Sequence, residues 1–355
     1  MTDNPKTFRM LNVSSKLAIC GLPIRVDTYR SCSFGCANCR KIMEFDKSLR
    51  IGSMRGLERE YARAMGGGSS LLDVLIRRGI TWHCGGMSDP FQPCESTYHV
   101  TRDLCDFTRE HGVTVLFSTK TDDLRGCEGH LDPRCHSIQM SVSNVNDRRD
   151  LEPNVPPIES RKRLFDRLKA DGFRVGIRIQ PFIPGVSGPE IVDMFSDADQ
   201  FTIEGLKLVP QNREHVARVL AATGLEKSMF TQMGLLNLRP GVRLEAYRET
   251  VERIRYYGRP YSIADNDLHH IGTSRCCCGD ALVWRSSGFD NTCMCCDCGR
   301  GYTLDDVRDA AGEEIWEAKA SQLFTSNRTE GCVTVGEFYE RRFGRKSSPF
   351  SPKYL

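Results

Sequence analysis

Cys32, Cys36 and Cys39, in the run from Arg30 to Arg40, place three thiols on one short loop at C-x3-C-x2-C spacing. Thiolates so spaced can ligate three irons of a 4Fe-4S cube, because cysteine is the usual ligand and a short loop can wrap one corner. The fourth iron then stays open. An open iron can take the amino and carboxylate groups of S-adenosylmethionine (SAM) and pass an electron into its sulfonium. Two plainer readings compete: a partial zinc site, which wants a fourth ligand nearby, and three ordinary thiols.

A second group of thiols sits near the other end. Cys276, Cys277 and Cys278 are followed by Cys293, Cys295, Cys296 and Cys298, seven cysteines within 23 residues, too dense for chance packing. A loop that folds back between the two clusters can gather them around metal. Cys276 and Cys278 with Cys293 and Cys296 would make a zinc ribbon, and the same thiolates suit an auxiliary 4Fe-4S cluster. His269 and His270 are either further ligands or, on the plainer reading, one polar rim residue and one core or capping histidine.

The rest of the chain must position these thiols. A length of 355 residues suggests two domains, or one large α/β barrel with an appendix. Seventeen cysteines in so long a chain, which opens Met-Thr-Asp-Asn-Pro-Lys without an apolar signal region, fit metal ligation and a cytoplasmic location better than disulfides. No run is long enough to span a membrane. The net charge of +3 argues neither for nor against nucleic acid, although Arg341, Arg342, Arg345, Lys346 and Lys353 form a basic tail, read first as a solvated terminus.

Strand-like runs at 23–28, 79–84, 113–118, 137–143, 173–181 and 201–209 alternate with helix-like runs, among them 97–110, 157–170 and 211–222, whose apolar residues recur at three-and-four spacing. That alternation predicts β/α units, six in all. Chemistry in such a fold gathers in the loops after the strands. This places Gly85, Gly86 and Asp89, then Ser118 and Lys120, Ser141 and Ser143, Arg178 and Gln180, and Glu204 and Lys207 on one side. Further helices are expected at 242–257, 303–319 and 335–343, with Trp316 and Phe338 in the core.

With the cysteine loop, an ordered series from Gly85 to Glu95, Thr101-Arg102, Ser118 to Lys120, Ser141 to Ser143 with Leu151 to Pro153, and Pro181 to Gly185 resembles the spore photoproduct lyase-like branch of radical SAM enzymes over roughly residues 20–210. The resemblance implies an α/β fold with a partial (β/α)6 barrel at 1–222; beyond it, the residues themselves read as a barrel-capping helical segment at 223–270 and a cysteine-rich metal or Fe-S extension with a basic tail at 271–355. It implies cluster ligation by Cys32, Cys36 and Cys39, backbone contacts from Gly85 and Gly86 to the methionyl amine, ribose or carboxylate contacts from Ser143 and Arg178, and Lys120 near the site. A zwitterion carrying two hydroxyls does call for a cation, hydroxyl partners and a close glycine backbone. Lys120 and Arg178 also read as rim ion pairs, and Gly85-Gly86 as a tight turn. Many relatives carry an aromatic residue just before the third cysteine. Asn38 stands there, so either Phe34 substitutes or Asn38 hydrogen-bonds the adenine edge.

The photoproduct lyases use a cysteine as hydrogen donor; Cys84, Cys94 and Cys135 are candidates here, each equally readable as a small buried hydrophobe. The branch points to modified thymine in DNA as substrate. Because radical SAM proteins often carry extra clusters in C-terminal extensions, a second 4Fe-4S cluster is favoured over zinc at 276–298. Such an extension fits isomerisation of an amino-acid-decorated thymidine in DNA hypermodification better than lesion repair by a plain lyase. A flavodoxin or ferredoxin would supply the electron, and Arg161 to Arg167 could touch phosphates. Peptide- or tRNA-modifying radical SAM enzymes and a non-catalytic zinc-ribbon nucleic-acid-binding protein are the competing readings.

Overall fold

The alternating runs become one curved sheet of eight strands. In chain order these are β1 (Leu11–Val13), β2 (Ile24–Val26), β3 (Trp82–Cys84), β4 (Val115–Thr119), β5 (His136–Ser141), β6 (Arg174–Phe182), β7 (Gln200–Gly205) and β8 (Tyr261–Ile263). They lie side by side in that order. From β2 to β8 every neighbour is parallel, and only β1 runs antiparallel, against β2. The computed structural model describes residues 5–14, 20–39, 48–265, 267–274, 276–287, 304–320 and 332–343.

Successive strand side chains point to opposite faces. The outward row, including Trp82, Cys84, Val115, Phe117, Ile138, Met140, Ile177, Phe201 and Ile203, enters the main apolar core. Helices that contribute to the same core include Met54–Met65, Leu71–Arg77, Val100–Glu110, Ile158–Ala170 and Pro240–Tyr256. The inward row is polar: Arg25, His83, Ser118, Gln139, Arg178, Thr202 and Ser262. A sheet buried on one face by helices and polar on the other has to find partners for the polar face.

Those partners come from residues 274–287. Gln139 Nε2 donates to the Cys278 carbonyl at 2.9 Å, Ser262 Oγ to the Cys277 carbonyl at 3.2 Å, and Ser137 Oγ to the Leu282 carbonyl at 2.7 Å. Leu282 is fully buried against Gly176, where a β-carbon would lie 2.5 Å from its Cδ1. The segment continues under the strands' N-terminal ends, Thr81 N donating to the Arg285 carbonyl at 2.9 Å, and ends where Ser287 N donates to the Gly21 carbonyl at 2.9 Å. It thus bridges β8 to the residues ahead of β2 and floors the barrel.

The α/β partial barrel expected from the sequence is present, with two differences of extent. The run at 201–209 divides after Gly205, where the register shifts and a β-carbon would lie 2.6 Å from Tyr247 Oη. Lys207–Leu208 then joins a separate antiparallel sheet with the hairpin Phe230–Met233 and Leu235–Leu238. The stretch 223–270 accordingly holds that hairpin, the helix Pro240–Tyr256 and a seventh parallel strand, β8, besides helical cap. Helix positions follow the periodicity closely, although 303–319 breaks at Gly312 (φ +70°) into Leu304–Ala311 and Glu313–Trp316. Trp316 and Phe338 are buried. No helix among the described residues is long and apolar enough to cross a membrane.

At the foot of β5, His136 is fully buried. Its Nδ1 accepts from Asp132 N at 3.0 Å, so the ring proton is on Nε2, 2.9 Å from Thr108 Oγ1. Burial pushes the imidazole down to about 4. A neutral histidine in the fold that titrates near 6.5 when unfolded stabilises the fold fully above 6.5 and loses that contribution as pH falls towards 4. Urea unfolding should therefore lose about 2 kcal/mol from this group between about pH 7.5 and about pH 5. A His136→Gln variant should be weaker at the higher pH and show a correspondingly shallower decline.

Candidate active site and thiol centres

The Cys32–Cys39 loop leaves the C-terminal end of β2 and is fixed by neighbours on both sides. Gln92 clasps it from one side, its Oε1 accepting from Ser33 N at 2.9 Å and its Nε2 donating to the Ser31 carbonyl at 3.0 Å. From the other side Ala37 N donates to the Leu151 carbonyl at 2.7 Å and Asn154 Nδ2 to the Ser33 carbonyl at 3.1 Å. Phe34 and Val155 pack around Cys36, with Cys32 and Cys39 against the same small cluster. All three cysteines are free thiols, and burial pushes Cys32 up to about 11 and Cys36 higher still. A metal must displace those protons, so loading of this loop favours alkaline pH.

Three buried carboxylates hold the surrounding loops. Asp89 accepts from Thr119 Oγ1 at 2.8 Å, Lys120 N at 2.6 Å and Phe91 N at 3.0 Å, and burial nevertheless raises its carboxyl above the ordinary value. Glu95 accepts from Tyr29, and from Thr101 N and Arg102 N at 2.9 Å each. Glu152 lies 2.6 Å from Lys120 Nζ. Burial opposes its ionisation, yet Lys120 and Arg161 together hold its carboxyl below the ordinary range.

Gly85 turns at φ +94° directly over β4, and a β-carbon there would sit 2.2 Å from the Ser118 carbonyl oxygen. Only glycine allows this approach. Gly86 lies above Arg25, whose Nη1 would be 3.7 Å from a β-carbon at 86. Arg25 donates to His83 Nδ1, leaving Nε2–H to donate to Ser118 Oγ at 2.8 Å. Ser143 is fully buried, its Oγ accepting from Asn144 Nδ2 at 3.1 Å. Arg178 donates to Glu204 and Gln180, and Glu204 also lies 2.6 Å from Lys207 Nζ.

Two features match a group of SAM's shape and polarity. The Gly85 cradle leaves room for close backbone approach, and Asn38 Nδ2, buried beside the third cysteine, has no hydrogen-bond partner among the described residues. An orphaned buried donor is rare. A ligand acceptor such as an adenine ring nitrogen would satisfy it. The three-thiol loop, the glycine turn and Asn38 thus fit a 4Fe-4S cluster with SAM.

The hydrogen-donor candidates are not gathered together. Cys84 faces outward into the apolar core, and Cys135 precedes β5 at the barrel's opposite end. Cys94 is half-buried near Cys32, and burial with the Glu95 and Cys32 charges pushes it up to about 12, keeping it a thiol. Cys276, Cys277 and Cys278 have their sulfurs within 4.8 Å of one another. Cys293 and Cys296 lie outside the described residues, as do Arg345, Lys346 and Lys353. His269 is buried with Nδ1 on the Ile263 carbonyl at 2.6 Å. Arg161, expected at phosphates, is instead buried and donates to the Ser141 carbonyl; Arg163 and Arg167 on the same helix are exposed.

Sequence reasoning missed Arg25, His83 and Cys20. The signal was a polar residue alternating with apolar ones in short strands, such as His83 between Trp82 and Cys84.

Among solved structures the chain is similar to spore photoproduct lyase complexed with dinucleoside spore photoproduct, with 12% identity, 68% of this chain and 76% of that chain covered, and a TM-score of 0.54. A double variant of that lyase with bound AdoMet and the dinucleoside aligns over the same shares at 12% identity and a TM-score of 0.53. A single-site variant reaches 0.55 at 13% identity, over 71% of this chain and 80% of that one. The fold is therefore similar to that of spore photoproduct lyase. No protein-family model and no curated protein matches the chain.

Lys120 and Glu152 are the pair to test. Lys120→Met removes one partner of a pair whose side chains are only 16% and 5% exposed. It should cost about 3 kcal/mol in urea unfolding, because an unpaired buried carboxylate remains, and Lys120→Met with Glu152→Gln should recover part of that loss.

Proposed function

We propose that this chain is a radical SAM enzyme acting on a modified thymine base in DNA. The observation that carries the reading is the convergence, at one end of the barrel, of the Cys32–Cys39 loop with the Gly85 turn pinned over the Ser118 carbonyl. In this reading Cys32, Cys36 and Cys39 hold the cluster, Gly85 and Gly86 receive the methionyl amine, Asn38 the adenine edge, and Ser143, Lys120 and Arg178 surround the rest of the cofactor. When bound, cluster and SAM supply a 5'-deoxyadenosyl radical by one-electron reductive cleavage, with the electron drawn from a flavodoxin- or ferredoxin-class donor.

The chain's own residues fix the geometry of the loop. Gln92, Asn154 and the Leu151 carbonyl hold the loop, and the buried Asp89, Glu95 and Glu152 lock the segments that carry it. Cys94, the donor candidate beside Cys32, keeps its proton at neutral pH and so offers an S–H bond.

The finer reading is isomerisation of an amino-acid-decorated thymidine. A hydrogen atom leaves the carbon next to the thymine methyl position, the substituent migrates, and a hydrogen atom returns, so the reaction is redox-neutral. What supports it over reversal of a simple thymine lesion is residues 274–287, which thread the barrel floor and carry three thiols inward. A base in duplex DNA must leave the stack to reach the lumen. In this reading the exposed Arg163 and Arg167, the latter 3.5 Å from Glu128 Oε1, meet phosphate, with affinity falling as salt rises.

Anaerobic protein reduced with dithionite should convert SAM to 5'-deoxyadenosine, and Cys32→Ala should reduce this at least about a hundredfold, a loss expected when a catalytic centre is removed. Retained cleavage in Cys32→Ala sinks the enzyme reading. DNA bearing an amino-acid-substituted thymidine should then be altered in mass-neutral fashion. Turnover of dinucleoside photolesions alone would instead favour repair.

A further inference from the structure

The floor of the barrel brings together thiols from opposite ends of the chain. Cys276, Cys277 and Cys278 present sulfurs within 4.8 Å of one another. Gly21 is close enough that a β-carbon there would lie 2.9 Å from Cys276 Sγ, and Ser287 donates from its hydroxyl to the Cys20 carbonyl at 2.9 Å. Cys20, buried, receives a hydrogen bond from Arg25 Nη2 at 3.6 Å.

Buried thiols alone are ordinary core residues. Arg25 makes this group different. Its guanidinium has His83 and Cys20 as side-chain hydrogen-bond partners, and among the described residues no carboxylate stands within ion-pair distance of it. Of the acidic groups whose charge acts on it, Cys20, Cys278 and Cys277 act more strongly than the Asp27 carboxylate. Arg178, on the other side of the lumen, feels Cys278 and Cys277 as well as Glu204, which it shares with Lys207. A largely enclosed cation with no carboxylate in contact is costly unless another anion close by offsets it. Protonated thiols cannot do so, whereas metal-bound thiolates can: four thiolates around a divalent ion leave two negative charges, facing two guanidiniums.

We propose that Cys20 joins Cys276, Cys277 and Cys278 to hold a thiophilic metal centre on the lumen side of the barrel floor, with Arg25 and Arg178 as its counter-cations. The centre ties the segment ahead of β2 to the C-terminal extension and closes the barrel. Zinc and iron–sulfur share this thiolate chemistry.

The test begins in the full chain with Cys32, Cys36 and Cys39 replaced by alanine, so that any metal retained belongs elsewhere. Loaded anaerobically with zinc, or with iron and sulfide, this protein should keep metal through desalting. Zinc alone would mark a single ion, and iron with matching sulfide a cluster; either agrees with the proposal. Adding Cys20→Ser should weaken retention at least about tenfold, as expected when a ligand is lost. Arg25→Gln, which leaves every thiol in place, should weaken it by a smaller factor. Should Cys20→Ser fail to fold, alkylation read by mass spectrometry decides in the unsubstituted protein: Cys20 should be labelled together with Cys276, Cys277 and Cys278 only after chelation. No metal in the triple variant, undiminished retention with Cys20→Ser, or Cys20 labelling that ignores the chelator would each overturn the proposal.

Discussion

The inward side chains of this sheet are mostly polar, and those that are buried have to be satisfied without water. Barrels of parallel strands are commonly filled by layers of branched aliphatic residues. Here the inward row carries Arg25, His83, Ser118, Gln139, Arg178, Thr202 and Ser262. Removing such groups from water is unfavourable unless each finds a partner. The carbonyls of Cys277, Cys278 and Leu282 supply three of those partners, so residues 274–287 complete the barrel rather than decorate it.

At the opposite end the same requirement is met by carboxylates. Asp89, Glu95 and Glu152 are each buried, and each gathers donors from segments distant in sequence. Glu95 ties the helix Val100–Glu110 to Tyr29, and Glu152 ties the loop after β5 to Lys120 at the end of β4. The Cys32–Cys39 loop rests on these connections. Its position is thereby set by groups that themselves carry no thiol, which makes the loop part of a rigid rim before any metal binds.

Much of this was legible in the chain. Alternating apolar residues in 137–143 and 173–181, and the apolar run at 115–117, marked strands whose outward faces are apolar, and the helical runs fell within a few residues of their observed ends. The loop cysteines, Gly85 and Lys120 stood out because their types and spacing are unusual. What stayed hidden was contact across large separations. Strand β8 is three residues long, too short for a period to show, and its place is fixed by pairing with β7. The partnership of Cys20 with residues 276–278 spans most of the chain and leaves no local trace. Arg161 looked like a surface cation on a charged helix, yet it turns inward, because Glu152 and the Ser141 carbonyl offer it an anion and an acceptor.

Arg25 connects the two ends. One guanidinium nitrogen lies beneath the Gly85–Gly86 turn and binds His83, while the other reaches Cys20 below. His83 passes the contact on to Ser118, whose own carbonyl is the atom that forces glycine at 85. A shift of the floor thiols therefore acts on the backbone of the upper site through only two side chains, both donating to fixed acceptors. On the other wall Arg178, Glu204, Lys207, Asp265 and Arg243 form a continuous ionic row from the lumen towards the helix Pro240–Tyr256, with Lys207 and Arg243 each 3.2 Å from Asp265. Charges so enclosed are screened little by salt. Altering the negative charge on the floor would thus be felt at both walls.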